Sequence, residues 1–375
     1  MTTFSTAHLA ALWSVKGIGE KSFRRCLLTQ KKSEITDADF WVNRERVWQK
    51  AALSQKQISS IQSFAKEHSF TSFYEQLLVS GIQVLSVRDK NYPPLLKLTN
   101  FAPSILFAKS NHSLTTNDWQ SLIVAVVGTR RMTSYGQLVI NTLLRDLIMT
   151  SEQKLKVVSG FMYGVDVTAM KLAHQLSQTI GILGYGFNFC FPRYQKALMQ
   201  KMLAEGAIFL TEYPPSTAPS AGSFVQRNRI IAGLAKATIV IEAAKRSGSL
   251  ITAQFALDAN RPVLAVTGPI TNPYSVGCQH LVNDGATLLA QAEDFWQLFA
   301  DQKGGELDAS KDNSLILNPK EKTIINLFRE QGRALSLDQL LKSTQQSTQV
   351  LRQSLFNLEM KHLISQQGQN YILKS

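Results

Sequence analysis

The stretch IVAVVGTRRMTSYG, residues 123–136, joins an apolar strand to a helix through one glycine and two arginines. Its first five residues are apolar and mostly β-branched, which is typical of a strand covered on both faces. Gly128 permits a sharp turn, and Thr133 and Ser134 are both suitable caps for the helix that follows. The positive end of a helix attracts phosphate, and Arg130 and Arg131 add donors for it. The stretch therefore predicts a phosphate-binding site. The full G-x-G-x-x-G spacing is absent, so this site is not expected to bind a dinucleotide.

Strands and helices alternate on the C-terminal side of this stretch. Apolar runs predict strands at 123–127, 155–158, 179–183, 207–210, 238–241 and 263–266, with helices that include 166–176, 194–205, 227–235 and 250–259. This alternation predicts an α/β fold with a doubly wound parallel sheet, and strands at 83–87 and 105–107 lead into it. Right-handed crossovers place the strand-to-helix loops at one edge of the sheet, where ligands of such folds bind.

The loops at that edge are rich in glycine and in basic residues. The basic side chains within them are Arg130, Arg131, Arg227, Arg229, Lys245 and Arg246. One glycine loop is weak support for a phosphate site, but several loops on one edge predict an extended crevice for phosphate groups. No histidine or carboxylate pair recurs there as an acid–base couple, so we expect no catalytic residue.

The overall charge is strongly basic, because 40 Lys and Arg stand against 27 Asp and Glu for a formal net charge of +13. Two explanations remain open, a solvated basic surface or a polyanionic partner such as nucleic acid. No apolar run is long enough to cross a bilayer, and the N-terminus lacks the pattern of a signal peptide. The three cysteines have no metal-binding or disulfide spacing. We therefore expect a cytoplasmic protein with no membrane insertion, no metal and no cofactor.

An N-terminal helical domain is predicted at 1–70, ahead of the sheet domain at 71–300. Its sequence VKGIGEKSF favours the helix-hairpin-helix or SAM-like type, in which two helices meet at a glycine turn. Gly17 and Gly19 of this turn have two possible roles. They either expose amides to a nucleic-acid phosphate or simply join two helices.

A C-terminal domain is predicted at 314–375, after a polar, Gly-containing linker at 301–313. Three helices and a hairpin in this length are the layout of a winged helix. Its predicted recognition helix carries only Arg352 and Lys361 as basic residues. That is few for DNA, so a protein contact or weak DNA binding is expected.

Six motifs occur in order along the chain, namely AVVGTRRMTSYG, VVSGFMYGVDVTAM, TEYPP, FVQRNRIIAGL, VIEAAKRSGSLITA and GCQHLVNDGA. Together they resemble the DNA-processing protein A family, also called DprA or Smf, over roughly residues 83–299. The resemblance implies an extended Rossmann-like fold that binds single-stranded DNA. It also implies a non-enzymatic recombination mediator that forms homodimers and loads the RecA recombinase onto incoming DNA during natural transformation.

Matching the motifs position by position gives the residues expected to bind nucleic acid. They are Gly128, Thr129, Arg130, Ser159, Gly160, Gly164, Arg227, Asn228, Arg229, Lys245, Arg246, Ser247 and Gly248. Single-stranded DNA is held by positive grooves that follow its backbone, which suits these residue types. Arg130 has a second possible role, as an ion-pair partner of Asp166 or Glu212.

Two departures from the family pattern affect the expected groove. Tyr163 stands where members often have arginine, so one positive contact is missing. The loop 184–186, GYG, replaces a G-C-G loop and leads into the aromatic stretch 187–191, FNFCF, which favours stacking in place of charge. Phe161 and Tyr163 are each expected either to stack on a base or to pack in the interior.

An enzyme is the alternative hypothesis. Nucleoside-monophosphate phosphoribohydrolases have a similar fold and place a glutamate after a buried strand, as Glu242 stands after 238–241. Their P-G-G-x-G-T loop is missing here, so we expect Glu242 to order the adjacent basic loop. A transcription regulator acting through 314–375 is a third hypothesis, which the sparse basic helix weakens.

Overall fold

The computed structural model describes residues 4–42, 45–151, 155–303, 319–331, 335–344, 364–367 and 370–373, with 348, 350, 351, 354, 355 and 358. These residues form two compact units, Met1–Gln297 and Leu298–Ser375. Over the described ranges, no helix combines the length and the apolar character that a membrane span needs.

The strands of the first unit form one large sheet. They are β1 (Gln83–Ser86), β2 (Ile105–Lys109), β3 (Ile123–Gly128), β4 (Lys156–Ser159), β5 (Gln178–Ile182), β6 (Ile208–Thr211), β7 (Ala237–Ile241), β8 (Val263–Val266) and β9 (Thr287–Leu288). Their order is β1-β2-β6-β5-β4-β3-β7-β8-β9. All pairings from β6 to β9 are parallel, whereas β1 and β2 are antiparallel additions at the β6 edge. The predicted α/β fold with a Rossmann-like, mostly parallel sheet is confirmed.

Strand β3, which begins the stretch 123–136, lies in the interior of the sheet between β4 and β7. Val124 lies beside Ala237 of β7 and Val157 of β4, and the side chains from Ile123 to Val127 are buried. The chain builds β4, β5 and β6 on one side of β3, then returns to build β7, β8 and β9 on the other. This reversal is the topological switch point, where ligands of doubly wound folds bind.

The helices of this part of the chain follow the strands in two packed groups. They are α7 (Pro94–Lys97), α8 (Ser134–Val139), α9 (Arg145–Met149), α10 (Val165–Leu176), α11 (Lys196–Ala204), α12 (Ala221–Leu234), α13 (Gly248–Asp258), α14 (Val276–Asn283) and α15 (Ala292–Lys303). A π-helical segment, Ile140–Leu144, joins α8 to α9. One group consists of α8, α9 and α10, and the other includes α12 packed against α13 and α7.

Helices precede the sheet, as expected for 1–70, and the last of them extends beyond that range to residue 79. They are α1 (Thr6–Ser14), α2 (Glu20–Lys32), α3 (Asp37–Trp41), α4 (Glu45–Lys50), α5 (Gln55–Glu67) and α6 (Phe70–Val79). Their apolar faces form a core that also contains Ile105 and Phe107 of β2. Trp13 of α1 donates its indole N–H to the carbonyl of Glu212, just after β6, at 2.6 Å. The helices therefore pack on the sheet, and a separate domain at 1–70 stays a prediction.

The second unit contains α16 (Pro319–Gln331), α17 (Leu337–Thr344), β10 (Leu335–Ser336), β11 (Ile364–Gln367) and β12 (Asn370–Leu373). Its strands pair antiparallel in the order β10-β12-β11 around a core that includes Ile324, Leu340 and Ile364. The described positions between 348 and 358 are helical, and Arg352 and Lys361 lie outside the described residues. The winged helix stays a prediction. Of the predicted linker, 301–303 belong to α15 and 304–313 lie outside the described residues.

Candidate functional site

A cleft of about 750 Å³ lies at the switch point of the sheet. Its walls come from the loops after β3 and β7 and from the first turns of α10, α12 and α13. The predicted binding residues that line it are Gly128, Thr129, Arg130, Arg227, Asn228, Arg246, Ser247 and Gly248. Arg131, Asp166, Phe191 and Phe224 also line it. Distant loops thus meet at the predicted edge of the sheet.

Arg130 lies between two aromatic rings at the surface of this cleft. Its guanidinium carbon is 5.9 Å from the ring centre of Tyr163 and 5.9 Å from that of Phe224. Such cation–π contacts hold a guanidinium in place without neutralising its charge. Arg130 is exposed, and these contacts hold its positive charge in place at the surface, which suits contact with a phosphate.

Arg227 lies beneath the cleft and is only 3% exposed. Its guanidinium donates to the carbonyl oxygen of Gly160 at 2.7 Å and to that of Ile182. Burial lowers the pKa of Arg227, an effect that the nearby Asp166 carboxylate opposes. Arg227 therefore joins α12 to the ends of β4 and β5 and places a positive charge in the floor of the cleft. Its Nε, which is buried, has no hydrogen-bond partner among the described residues.

Asp166, in the first turn of α10, lies next to this buried guanidinium. A side-chain carbon at Gly160 would be 2.5 Å from the Asp166 Oδ2 and 2.6 Å from both terminal nitrogens of Arg227, so the three groups are tightly packed. Burial raises the pKa of Asp166 to about 6, against the opposing effects of the Arg227 charge, the nearby Ser159 side chain and backbone amides. The charge of the cleft therefore changes near pH 6.

Arg229, although predicted to bind nucleic acid, is not part of the cleft lining. Its two terminal nitrogens pair with the two carboxylate oxygens of Glu212 at 2.8 and 2.7 Å. Residues two apart on a helix point to different sides, so Arg227 and Arg229 cannot both face the cleft. Arg229 instead fixes the loop after β6, the loop whose Glu212 carbonyl accepts the Trp13 indole N–H. Glu212 is thus the partner of Arg229 and not of Arg130.

Three predicted residues, Ser159, Gly164 and Gly128, bring backbone segments together at the ends of β3 and β4. Ser159 is buried and donates to the Val126 carbonyl at 2.6 Å. Gly164 has a φ of +84°, and a side chain there would lie 2.4 Å from the Thr129 carbonyl. A side chain at Gly128 would lie 1.9 Å from the Ile241 carbonyl. These positions allow the loops after β3, β4 and β7 to approach one another closely.

Glu242 is a positioning residue that the sequence did not place among the binding residues. Its backbone is in the left-handed region, with a φ of 54°, and its carbonyl accepts from the Thr129 amide at 2.7 Å. Its carboxylate accepts from the Thr133 amide at 2.8 Å and from the Thr133 hydroxyl at 2.5 Å, and Asn272 donates to it at 3.2 Å. Glu242 therefore orders the arginine loop of β3, not the basic loop that follows it. To act as the catalytic carboxylate of a nucleotide hydrolase, Glu242 would have to break these hydrogen bonds.

The loop after β7 contributes the beginning of α13. Ser247 is the N-cap of this helix, Gly248 is its first residue, and the Asn228 amide donates to the Gly248 carbonyl at 3.2 Å. The first turn of α12, capped by Ser220, lies in the same lining. Two helix N-termini thus face one cleft, and their positive ends favour an anion. Lys245 is exposed beside this loop but outside the lining.

Aromatic residues form one end of the cleft. The rings of Phe191 and Phe224 lie 5.4 Å apart, and Phe191 is 37% exposed. Tyr163 is 38% exposed, whereas Phe161 is fully buried and packs on Phe209. Tyr163 is thus the exposed member of the pair considered from the sequence, and Phe161 belongs to the core. Over the ranges that the structure describes, no cluster of His, Cys, Asp and Glu could hold a metal ion.

Fold and cleft together define a Rossmann-like α/β protein with a basic cleft at the switch point of its sheet. Residues 83–300 match the family model of DNA recombination-mediator protein A, and the chain belongs to this family. It is 34% identical over 249 residues to the DNA processing protein DprA of Bacillus subtilis (strain 168), a match that covers 63% of this chain and 80% of that relative.

Two solved structures are also similar. DNA processing protein A from Streptococcus pneumoniae matches with a TM-score of 0.65 and 27% identity, over 79% of this chain and 98% of that chain. DNA processing protein A from Helicobacter pylori, in a structure that concerns its single-stranded DNA binding mode, matches with a TM-score of 0.51 and 26% identity. That match covers 59% of this chain and 96% of the other.

Gly160→Ala tests the packing under the cleft. The added methyl group would overlap the Asp166 carboxylate and the Arg227 guanidinium, so we expect a loss of about 1–3 kcal/mol in unfolding free energy. Thermal and denaturant unfolding measure this loss. Gly222→Ala in the first turn of α12 is the control, because a methyl group there meets no atom within 4 Å. Equal melting of the two variants would show that Arg227 and Asp166 are free to move.

Proposed function

We propose that this protein binds single-stranded DNA in the cleft and acts as a recombination mediator, not as an enzyme. The observation that carries the proposal is the position of Arg130, held between Tyr163 and Phe224 at the surface of the cleft. The buried Arg227 lies in the floor, and two helix N-termini face the same space. This arrangement offers several phosphate-binding groups in a row, which suits an extended backbone better than a single nucleotide.

The preference for single strands follows from the aromatic end of the cleft. Phe191 and Phe224 line it with their rings 5.4 Å apart, and Tyr163 is exposed beside Arg130. Bases of a single strand can stack on such rings, whereas the bases of a duplex are already stacked and paired. The single-stranded DNA binding mode of the Helicobacter pylori relative supports the same assignment.

The predicted binding residues divide into two groups in this proposal. Those assigned direct contact with DNA are Gly128, Arg130, Asn228, Arg246, Ser247 and Gly248, with Lys245 beside them. Those that support the contact surface are Thr129, which is only 8% exposed, Ser159, Gly160, Gly164, Arg227 and Arg229. The second group acts by fixing loops and charge beneath the strand.

The wider role follows from membership of the recombination-mediator family. We assign to the protein the loading of the RecA recombinase onto incoming single strands during natural transformation, in the cytoplasm and as a homodimer. A winged helix at 314–375 is then a site for a protein partner or for weak DNA binding. RecA filament assembly on single-stranded DNA, followed with and without the protein, tests the loading step.

Arg130→Ala is expected to weaken binding to a single-stranded oligonucleotide by about tenfold, because one phosphate contact is lost. The slope of log affinity against log salt should fall by about 0.7, the value for one phosphate on a single strand. Fluorescence anisotropy with labelled oligo-dT measures both quantities. Arg145→Ala, an exposed arginine of α9 outside the cleft, is the matched control. Equal affinity of the wild type for single and double strands would overturn the proposal.

Binding is also expected to depend on pH through Asp166. The raised pKa, about 6, means that this carboxyl gains a proton as the pH falls from 7.5 to 5.5, and the cleft loses one negative charge. Affinity for oligo-dT should therefore rise by about tenfold over this range. Asp166→Asn removes the titrating group, so the variant should bind tightly at both pH values. A pH dependence that persists in this variant would assign the effect to another group.

A further inference from the structure

A second concave surface of about 690 Å³ lies between the N-terminal helices and the loops after β5 and β6. We call it the helical groove. One of its walls contains Lys16 of the glycine turn and Lys56, Ser60 and Ser63 of α5. The opposite wall contains Asn188 and residues 214–216. None of these residues belongs to the cleft at the switch point.

The helical groove and the cleft share a wall. The loops after β5 and β6 are joined by hydrogen bonds from the Asn188 amide to the Pro215 carbonyl at 3.0 Å and from the Gly186 amide to the Thr217 carbonyl at 2.9 Å. The same two loops line the helical groove through Asn188 and residues 214–216, and line the cleft through Phe191 and Pro219. A chain that leaves the cleft across this wall enters the helical groove.

The chemistry of the helical groove suits a sugar–phosphate backbone. Lys56, Ser60 and Ser63 lie four and three residues apart, which places them on one face of α5. Lysine and serine side chains are common donors to phosphate oxygens. The Ser60 hydroxyl donates to the Lys56 carbonyl at 3.0 Å, so the donors that this surface offers to a ligand are Lys16, Lys56 and Ser63. Lys16 and Lys56 are both exposed, and Glu67 is an acidic residue at the C-terminal end of α5 in the same lining. The serine-rich part of the groove is therefore positive, and its charge changes sign toward Glu67.

The two walls are held at a fixed separation. The Trp13 indole N–H, at the end of α1, donates to the Glu212 carbonyl at 2.6 Å, and this bond is buried. The side-chain amide of Gln57 donates to the Gly17 carbonyl at 2.8 Å and to the Ser22 hydroxyl at 2.9 Å, which fixes the glycine turn against α5. Lys16 and Lys56 are thereby placed on neighbouring parts of one rigid surface before any ligand binds.

We propose that the helical groove binds a second segment of the same DNA single strand, which crosses the shared wall from the cleft. This inference rests on the proposed function of the cleft. It assigns the N-terminal helices a direct part in DNA binding through Lys16 and through Lys56 and Ser63 of α5. The glycine turn serves mainly to position Lys16.

The test compares oligo-dT of increasing length, from about 5 to 30 nucleotides, on the wild type and on the double variant Lys16→Ala/Lys56→Ala. Short strands that fill only the cleft should bind both proteins equally. Long strands should bind the double variant about tenfold more weakly, with a salt slope lower by about 1.4, the value for two phosphates. Fluorescence anisotropy over a salt series gives both measurements on the full chain.

Lys31→Ala/Lys32→Ala is the matched control, since these lysines are also exposed on the N-terminal helices but lie outside the helical groove. It should bind strands of every length as the wild type does. Equal binding of wild type and Lys16→Ala/Lys56→Ala at all lengths overturns the helical groove as a DNA site. An equal loss for short and long strands also overturns it, because the lysines would then act through the fold. Failure of the wild type to bind short strands overturns the cleft itself, a separate result.

Discussion

The cleft depends on one buried contact, the Arg227 guanidinium against the carbonyl oxygens of Gly160 and Ile182 with Asp166 beside it. These groups come from α12, β5, the start of the β4–α10 loop and the first turn of α10. An isolated buried cation is costly, and the two carbonyl hydrogen bonds and the acidic neighbour each reduce that cost. The absence of a side chain at Gly160 is what lets them meet. Arg130 is placed above a floor that is already charged and rigid.

The cost of burying a positive charge also explains why Arg227 and Arg130 have different surroundings. Arg227 is covered by protein and balanced by Asp166, so its charge supports the floor. Arg130 is exposed, and aromatic rings position it in place of a carboxylate, so its charge remains available to a ligand. Proximity of these two positive charges lowers the pKa of Arg227 further. An anion in the cleft relieves that repulsion, which is a general reason for clustered arginines to bind phosphate.

Much of the fold was predictable because it depends on local sequence. The apolar runs predicted the six parallel strands from β3 to β8 to within about two residues, and Gly128, Arg130 and Ser247 were placed at the correct edge. The ion pair between Arg229 and Glu212 could not be predicted from the sequence. It joins a helix to the loop after β6, and the two residues are 17 apart in the chain. The role of Glu242 toward Thr133 was missed for the same reason, since 109 residues separate them. The antiparallel pairing of β2 with β6 likewise depends on a distant partner.

Glu242 also has a consequence for how the protein opens locally. Its backbone carbonyl and its carboxylate hold the loop after β3, although it belongs to the end of β7. Neither strand end can separate from the sheet without releasing the other, so the two form one cooperative unit of local unfolding. Hydrogen exchange at Thr129 and Thr133 therefore reports on the end of β7 as well as on the arginine loop. A ligand that holds the arginine loop slows exchange in a strand that it does not touch.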